Sequence, residues 1–186
     1  PMDPDSNPLS ELIQSRQSTR KYLDKPIPRE EIERVLELTH LAPSATNSQP
    51  WHFIVVDDPE LKVAVAKCLT SPLLPSMNTF AKEAPALIVV VEESANVAAK
   101  VGNLLKKQHF SRIDIGIAVG YLTLAARSEG LDTCVIGWLD DKKIRDLLRI
   151  SRQKTVQLVI SLGYSDDPMR PKTRKKMDKI RSYNTY

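Results

Sequence analysis

The chain is poor in the residues that staple small secreted folds or hold structural metals. Its 186 residues include two cysteines and three histidines. Cys68 and Cys134 lie in separate apolar segments and form no Cys-x-x-Cys pair, so the sequence disfavours both a disulfide scaffold and a zinc site. We therefore expect no metal centre, and a reducing cytoplasm is the default location.

Long apolar runs are also absent. No segment approaches the ~18 consecutive apolar residues that a membrane span needs. The first residues are polar and acidic, where a secretory leader would be basic and then apolar. We therefore expect neither membrane association nor a signal peptide. The dinucleotide-binding fingerprint is missing too, because Gly116, Gly120 and Gly130 do not form Gly-x-Gly-x-x-Gly.

Positive charge is concentrated near the C-terminus. The chain carries 27 Lys and Arg against 23 Asp and Glu, and residues 170–181 hold seven of the basic residues and one acidic residue. Such a tail can bind nucleic acid by releasing counterions. However, no aromatic residue is interleaved in residues 170–179 to stack on bases, and no helix-turn-helix or zinc pattern accompanies the tail. Nucleic acid is therefore a disfavoured partner; a bound phosphate and an acidic surface of a partner subunit explain the tail more economically.

Polar residues are concentrated between a predicted helix and a predicted strand. Apolar side chains recur at helical spacing through residues 29–41, and residues 53–56 form a β-branched run typical of a buried strand. The intervening segment carries two prolines and five hydrogen-bonding side chains: Ser44, Thr46, Asn47, Ser48 and Gln49. A solvated turn would not need so many donors and acceptors, so we interpret the segment as a ligand-shaping loop. The alternative is a capped helix end with an Asx-turn.

A second polar segment lies near the N-terminus. Arg16, Ser18 and Arg20 occupy alternate positions after a short helical segment, so in an extended conformation their side chains share one face. Two guanidinium groups with a hydroxyl between them suit a phosphate, because Arg presents a planar fork of donors. The alternative is a solvated basic turn, which isolated basic clusters often are.

Helices and strands alternate along the chain without internal repeats, which predicts an α+β fold. The patterns predict helices at residues 29–41 and 112–128 and after the caps Asp58 and Asp140, and strands at residues 53–56, 85–91, 133–137 and 156–162. The helix at residues 112–128 is apolar on nearly every side, so it belongs in a large core or across a dimer interface. Gly116 and Gly120 would let another helix approach it closely.

Four short motifs follow one another along the chain. They are Arg-x-Ser-x-Arg at residues 16–20, Pro-Ser-x-x-Asn-x-Gln-Pro-Trp at 43–51, Gly-Leu-x-x-x-x-Ile-Gly at 130–137 and Lys-x-Arg at 172–174. Each is weak alone, but the four in this order resemble the flavin-dependent nitroreductase family of FMN-dependent NAD(P)H oxidoreductases. The resemblance spans nearly the whole chain and is specific for the family, not for a substrate.

The resemblance implies a particular architecture. In that family a mixed central sheet is flanked by helices, and two chains form an intertwined homodimer with two flavin sites at its interface. The chain length fits a single FMN-binding domain over residues 1–186. We expect an N-terminal arm of about residues 1–10 and a basic C-terminal tail of about residues 165–186 around it.

The resemblance also implies which residues bind FMN. One subunit would contribute Arg16, Gln17, Ser18 and Arg20, and the other would bring Pro43, Ser44, Ala45 and Asn47 to the isoalloxazine ring. Backbone groups of Val135, Ile136 and Gly137 would contact the ring, where glycine leaves room for a close approach. Lys172 and Arg174 would join Arg16 on the phosphate, and Asn78 is a further candidate for the ring.

The chemistry implied is largely that of the cofactor. FMN would take hydride from NADH or NADPH and pass hydride or electrons, in a ping-pong cycle, to nitroaromatics, quinones or related planar acceptors. No side-chain acid or base is required. Arg20 has two open roles: electrostatic stabilisation of the anionic reduced flavin near N1 and the C2 carbonyl, or binding of the phosphate. The sequence does not choose between the two nicotinamide nucleotides.

Substrate choice would lie in a cap over the flavin at about residues 92–110. Asn103, His109 and Phe110 are its candidate contacts. Lys100, Lys106 and Lys107 would either attract the phosphates of the nicotinamide nucleotide or form a solvated helix face.

Other functions stay open at this stage. Within the same superfamily, reductive dehalogenation and flavin destruction are alternatives, and the sequence holds no decisive motif for either. From a different class, the chain would be a binding module with a basic tail and no catalysis.

Overall fold

The computed structural model describes residues 7–71, 73–93 and 110–186. The helices are α1 (Pro8–Ser15), α2 (Arg29–His40), α3 (Pro59–Lys67), α4 (Phe110–Ser128) and α5 (Asp141–Leu147), and the strands are β1 (Trp51–Val56), β2 (Ala86–Glu92), β3 (Asp132–Ile136) and β4 (Thr155–Gly163). Short 3-10 turns occupy Ala45–Asn47, Thr79–Lys82 and Met177–Lys179. Over the residues described, no helix is both long and apolar enough to cross a membrane.

Side-chain caps fix the helix starts that the sequence predicts. The Asp58 carboxylate accepts a hydrogen bond from the Leu61 N–H at 2.8 Å, with Pro59 in the first turn. The Asp140 carboxylate likewise accepts from the Lys143 N–H at 3.1 Å. Each cap satisfies one of the N–H groups that a helix leaves free in its first turn. Both predicted caps are confirmed.

The sheet has the strand order β1-β2-β4-β3, and every adjacent pair is antiparallel. β3 is an edge strand. The N-terminal segment joins its outer side through a parallel bridge between Ser18 and Thr133, where the Thr19 N–H donates to the Thr133 carbonyl at 3.0 Å. The predicted α+β class is confirmed, and parallel pairing within the described residues is confined to this bridge.

The central strand β2 divides the core in two. Ile88 and Val90 pack on one face of the sheet with α2 and α4, whereas Leu87 and Val89 pack on the other face with α3 and α5. All four side chains are fully buried. A strand covered on both faces has no polar alternation, because successive side chains point into opposite halves of the core. The sheet therefore lies between two helical layers.

Helix α4 buries one side and exposes the other. Leu122 and its neighbours on the inner side are in the core. The opposite side, here called the outer face of α4, consists of Ile113, Gly116, Ile117, Gly120 and Tyr121. Its three side chains are 52%, 38% and 44% exposed, and a Cβ at either glycine would meet no atom within 4 Å. The inner side of α4 therefore lies in the core, whereas no described layer of the protomer covers its outer face.

The C-terminal tail, residues 165–186, follows β4 with no helix or strand beyond the turn Met177–Lys179. From residue 168 to residue 186 every side chain is exposed. The exposed residues include apolar ones, among them Met177, Ile180 and Tyr183. Within the described protomer these apolar side chains have no cover.

The packing between the strands and the N-terminal segment can be tested at Gly163, the last residue of β4. A Cβ there would overlap the rings of Pro85 and Tyr22, and neither ring is flexible enough to move aside. We expect Gly163→Ala to lower the free energy of unfolding by about 2 kcal/mol through overpacking. Gly137→Ala is the control, since its Cβ would meet the nearest atom at 3.8 Å. Urea denaturation of both apo variants checks this, and equal stabilities would contradict the packing described.

Candidate functional site

A cleft of about 350 Å³ brings together the first and the last of the four motifs. It is lined by Arg16, Gln17, Ser18, Arg20, Arg170, Pro171, Lys172, Thr173 and Arg174. All six residues predicted for the cofactor from these two motifs thus lie around one cavity. We call it the cationic cleft.

Hydrogen bonds of Gln17 hold the tail over this cleft. The Gln17 amide nitrogen donates to the carbonyls of Asp167 and Pro168 at 3.3 and 3.2 Å, and its amide oxygen accepts from the Arg170 N–H at 3.1 Å. The Gln17 side chain is nearly buried and is committed to the tail. The sequence predicts Gln17 as a cofactor ligand, and the structure shows its side-chain amide acting as a tether for the tail.

Two basic side chains complete the attachment of the tail. The Arg170 guanidinium donates to the Ser18 carbonyl at 2.6 Å and to the Asp167 carboxylate at 2.9 Å. The Lys172 ammonium donates to the Arg16 carbonyl at 2.5 Å. The bonds to Ser18 and Arg16 use backbone oxygens of the N-terminal motif, so the side chains of Arg16, Ser18 and Arg20 are left to line the cleft.

The cleft concentrates positive charge without neutralising it. In the described part of the chain, Arg16, Arg20 and Arg174 form no ion pair with a carboxylate. The pKa of Lys172 is lowered, first by loss of hydration and then by the neighbouring charges of Arg16 and Arg174. Cations that repel one another in this way make a site that an anion would stabilise. The arrangement suits a phosphate group.

Arg20 lies at the end of the cleft that faces the turn Thr79–Lys82. Its guanidinium carbon is 6.0 Å from the centroid of the Phe80 ring, which is the outer limit of a cation–π contact. Asn78, directly before that turn, adopts a left-handed conformation with φ of 59° and donates from its amide nitrogen to the Leu69 carbonyl at 3.0 Å. Among the described residues, no side chain or backbone N–H donates to the Asn78 amide oxygen.

The third motif lies beside the first. A groove of about 420 Å³ contains both Arg16 and Val135, together with residues of α1 and α4. Val135 is 40% exposed, whereas Ile136 is buried. Past the bridge to Ser18, the outer edge of β3 pairs with no other strand of the described chain. The predicted backbone contacts of Val135, Ile136 and Gly137 with a flavin ring would form along this edge, and they stay a prediction.

The loop of residues 43–49 is internally bonded and strained. Thr46, Asn47 and Gln49 have positive φ values of 54°, 52° and 46°, which are unfavourable for side chains with a Cβ and most of all for β-branched Thr46. The Ser44 hydroxyl oxygen accepts from the Gln49 N–H at 2.9 Å, and the Gln49 amide nitrogen donates to the Asn47 side-chain oxygen at 3.0 Å. The loop is thus an ordered and strained turn, and its role in shaping a ligand site stays a prediction.

The helix-capping alternative explains this loop less well. The end of α2 is closed by backbone bonds, from the N–H of Leu41 to the Leu38 carbonyl at 3.3 Å and from that of Ala42 to the Thr39 carbonyl at 3.1 Å. The polar side chains of the loop bond to the loop instead. Two side-chain donors stay without an acceptor in the described structure, the Ser44 hydroxyl and the Asn47 amide nitrogen.

The structure does not bring the second motif to the other three within one protomer. No residue of the loop at 43–49 lines the cationic cleft or the groove at Val135. Pro43 and Asn47 are exposed. The Ser48 hydroxyl is buried without a hydrogen-bond partner among the described residues. The loop thus presents groups for contacts that a single described protomer does not make.

Sequence reasoning missed two features of the site. Arg170 tethers the tail, but among seven basic residues in the tail no pattern distinguished it. A cavity of about 640 Å³ lies next to Gly137, lined in part by Lys67, Cys68 and Trp138. Trp138 is 55% exposed, and burial raises the pKa of the Cys68 thiol. An exposed Trp directly after the third motif was the available signal.

Most of the predicted cap over the flavin, at about residues 92–110, lies outside the residues that the structure describes. Asn103, His109 and the three lysines at 100, 106 and 107 lie outside the described residues, and Phe110 begins α4. Among the residues that are described, no group of His, Cys, Asp and Glu could hold a metal ion.

The chain is similar to known proteins along most of its length. A model of the nitroreductase family matches residues 13–164, from α1 to the end of β4. A putative NADH dehydrogenase/NAD(P)H nitroreductase of Archaeoglobus fulgidus is 35% identical over 162 residues, which cover 84% of this chain and 84% of the relative. An iodotyrosine deiodinase of Thermotoga neapolitana is 27% identical over 197 residues, 96% of this chain and 98% of the relative.

Solved structures show the same similarity. An FMN-dependent nitroreductase from Clostridium difficile R20291 superimposes with a TM-score of 0.75 at 29% identity, and the match covers 94% of this chain and 98% of that one. A nitroreductase family protein from Streptococcus pneumoniae TIGR4 shares the fold with a TM-score of 0.79 at 24% identity, over 94% of this chain and 99% of that one.

Proposed function

The chain belongs to the nitroreductase family, and on that premise we propose that it is an FMN-dependent NAD(P)H oxidoreductase acting on nitroaromatics, quinones or related planar electron acceptors. As a member of the family it is a flavin oxidoreductase, with FMN as its cofactor and NADH or NADPH as its reductant. The cytoplasm is its proposed location, because its two buried cysteines form no disulfide.

The cationic cleft is the observation that carries this proposal. Arg16, Lys172 and Arg174 converge there without carboxylate partners in the described chain. A phosphate monoester offers the oxyanions that guanidinium forks bind in bidentate fashion. The residues present therefore fit the phosphate of FMN, and the tail is the source of two of the three cations.

The isoalloxazine ring has a matching place. From the cleft, the open edge of β3 leads past Val135 to Gly137, so a planar ring attached to the phosphate would lie along these backbone groups. Ser44 and Asn47 of a partner subunit would approach from the other side, with the hydroxyl and amide donors that the loop leaves free. Ala45 has less to offer, because its N–H and its carbonyl are both hydrogen-bonded.

FMN, when bound, supplies the chemistry by accepting hydride from the nicotinamide nucleotide and passing it, or electrons, to the acceptor in ping-pong turnover. The protein contributes binding, orientation and charge. Arg20 extends the positive field from the phosphate toward the edge of the ring near Asn78, where it would stabilise negative charge gained on reduction. No described side chain needs to act as a general acid or base.

We propose that the active form is a homodimer. The outer face of α4 exposes apolar side chains and two glycines that permit close helix contact. The loop at 43–49 lies away from the cleft of its own protomer, and the apolar residues of the tail lack cover. A second copy of the chain would cover the outer face of α4 and the apolar residues of the tail. It would also receive the loop at 43–49 at its own cleft, which completes each flavin site.

Deiodination is a second candidate. It is favoured by the 27% identity with an iodotyrosine deiodinase over 96% of this chain. Iodide release from iodotyrosine, measured against turnover of a nitroaromatic, distinguishes the two. Among the described residues, no specific observation favours flavin destruction or a purely binding role for the basic tail.

Substitutions in the cleft test the phosphate assignment. We expect Arg16→Ala and Arg174→Ala each to weaken FMN binding about tenfold, or about 1.4 kcal/mol, because each removes a charge-assisted hydrogen bond. Lys176→Ala is the matched control, since it removes one tail charge that does not line the cleft. Fluorescence titration of the apo proteins with FMN measures the effect. Equal affinity in all three variants would remove the phosphate from this cleft.

Arg20 is tested through the redox potential of bound FMN. We expect Arg20→Gln to lower the two-electron reduction potential by about 30 mV, equivalent to about 1.4 kcal/mol, because the reduced form loses a neighbouring positive charge. Lys21→Gln serves as the control, since Lys21 is paired with Asp166 at 3.0 Å outside the cleft. If the potential is unchanged and the affinity falls instead, Arg20 is a phosphate ligand.

The dimer interface is tested on the outer face of α4. We expect Ile117→Glu to shift the protein to monomers and to lose FMN with the dimer, because a buried unpaired carboxylate is strongly unfavourable at an interface. Leu147→Glu on α5 is the control, with 39% exposure against 38% for Ile117. Sedimentation measures both variants. A dimeric Ile117→Glu protein would place the interface elsewhere.

A further inference from the structure

Helix α4 contains a buried carboxylate that the proposed chemistry does not use. Asp114 is 5% exposed and lies on the inner side of the helix, where the other buried residues except Ser111 are apolar. Both of its oxygens accept a hydrogen bond from the N–H of Ala45, at 3.2 and 3.1 Å. Within the described residues it has no ion-pair partner and no other hydrogen bond. Burial of a carboxylate with so few partners is unfavourable, so stability alone does not account for its presence.

The partner of Asp114 stands at the start of the strained turn. Ala45 is followed by Thr46 and Asn47, both left-handed. The Ala45 carbonyl accepts from the Thr46 hydroxyl at 2.7 Å and from the Ser48 N–H at 3.1 Å. With its N–H on Asp114, the peptide groups of Ala45 are fixed on both sides. Backbone strain of this kind persists only where surrounding contacts hold it.

We propose that Asp114 is a positioning residue: it holds the loop at 43–49 in its strained shape, so that Ser44 and Asn47 meet the flavin of the partner subunit. This rests on the proposed function. A carboxylate accepting from a backbone N–H makes a charge-assisted bond, stronger than a neutral one. Holding the loop in its bound shape before the ligand arrives removes an ordering cost from binding. Asp114 touches neither cofactor nor substrate and acts through Ala45.

Through Asp114, helix α4 would connect the dimer interface to the cofactor site. The inner side of α4 carries Asp114 and the loop contact, and its outer face carries Ile117 and Tyr121. Movement of α4 at the interface would therefore be transmitted to the loop through one hydrogen bond. The acceptor of the loop's hydrogen bond and the outer face thus belong to the same helix.

Titration of the apo dimer with FMN tests the role of Asp114. We expect Asp114→Ala to weaken FMN binding about tenfold, mainly through faster dissociation. Asp114→Asn keeps one oxygen acceptor and should lose less. Leu122→Ala, in the core on the same helix but away from the loop, is the control for lost stability. It should lower the melting temperature and leave the affinity of the folded protein within about twofold of wild type.

Relief of the backbone strain at Thr46 gives a second test of the role of Asp114. Glycine adopts the left-handed region without penalty, so Thr46→Gly should restore at least part of the affinity lost in Asp114→Ala. Equal affinity in wild type and Asp114→Ala would overturn the proposal, as would an equal loss in Leu122→Ala. Failure of the wild-type protein to bind FMN would instead overturn the proposed function, so the two failures are distinguishable.

Mixed dimers test whether the loop acts on the partner. In a dimer of one Arg16→Ala chain and one Asp114→Ala chain, one site would combine an intact Arg16 with a loop held by an intact Asp114. We expect tight binding of about one FMN per two chains, although each homodimer binds weakly. Absence of any tight site would place the action of Asp114 within its own subunit and contradict the proposal.

Discussion

The site depends on the hydrogen bonds that fasten the two ends of the chain to each other. The Gln17 side chain reaches Arg170, 153 residues away in sequence, and holds the tail across the N-terminal motif. Lys172 and Arg174 follow two and four residues after Arg170. Without the bonds of Gln17 and Arg170, they would be cations on an exposed segment. Because like charges repel, the tail is held to the N-terminal motif by hydrogen bonds to the Ser18 and Arg16 carbonyls, and the one ion pair of Arg170 in the described chain lies within the tail, to Asp167. Folding therefore builds an anion site whose repulsion a bound phosphate relieves.

Helix α4 organises the other half of the site. Its inner side fills the core beneath the sheet and holds the loop through Asp114, and its outer face is left for a second copy of the chain. The loop reaches a cofactor only across that interface in our account. Cofactor binding, loop strain and assembly would thus be coupled through one helix, which explains why the loop carries free donors and no cleft of its own.

The sequence was informative where a pattern has a local cause. The caps at Asp58 and Asp140, the buried run of β2 and the α+β class follow from short-range rules, and all are confirmed. It was less informative where the role of a residue depends on contacts with residues far away in the sequence. An amide such as Gln17 suits a ligand or a tether equally, and only the fold shows that the tail lies within its reach. The same holds for α4, since apolar periodicity does not say which side a partner covers, and for Asp114, whose acceptor role depends on a loop 69 residues away. The assignment of FMN to these residues and the single-domain organisation remain predictions.

Flavin binding and its reduction can be checked first by the visible absorption spectrum of the purified protein, with FMN added if the sample is colourless. Spectra are recorded before and after anaerobic addition of NADPH and of NADH. We expect a bound flavin band that bleaches with at least one nucleotide, and the comparison identifies the preferred reductant. A protein that binds no flavin, or a bound flavin that neither nucleotide reduces, would contradict the proposed function.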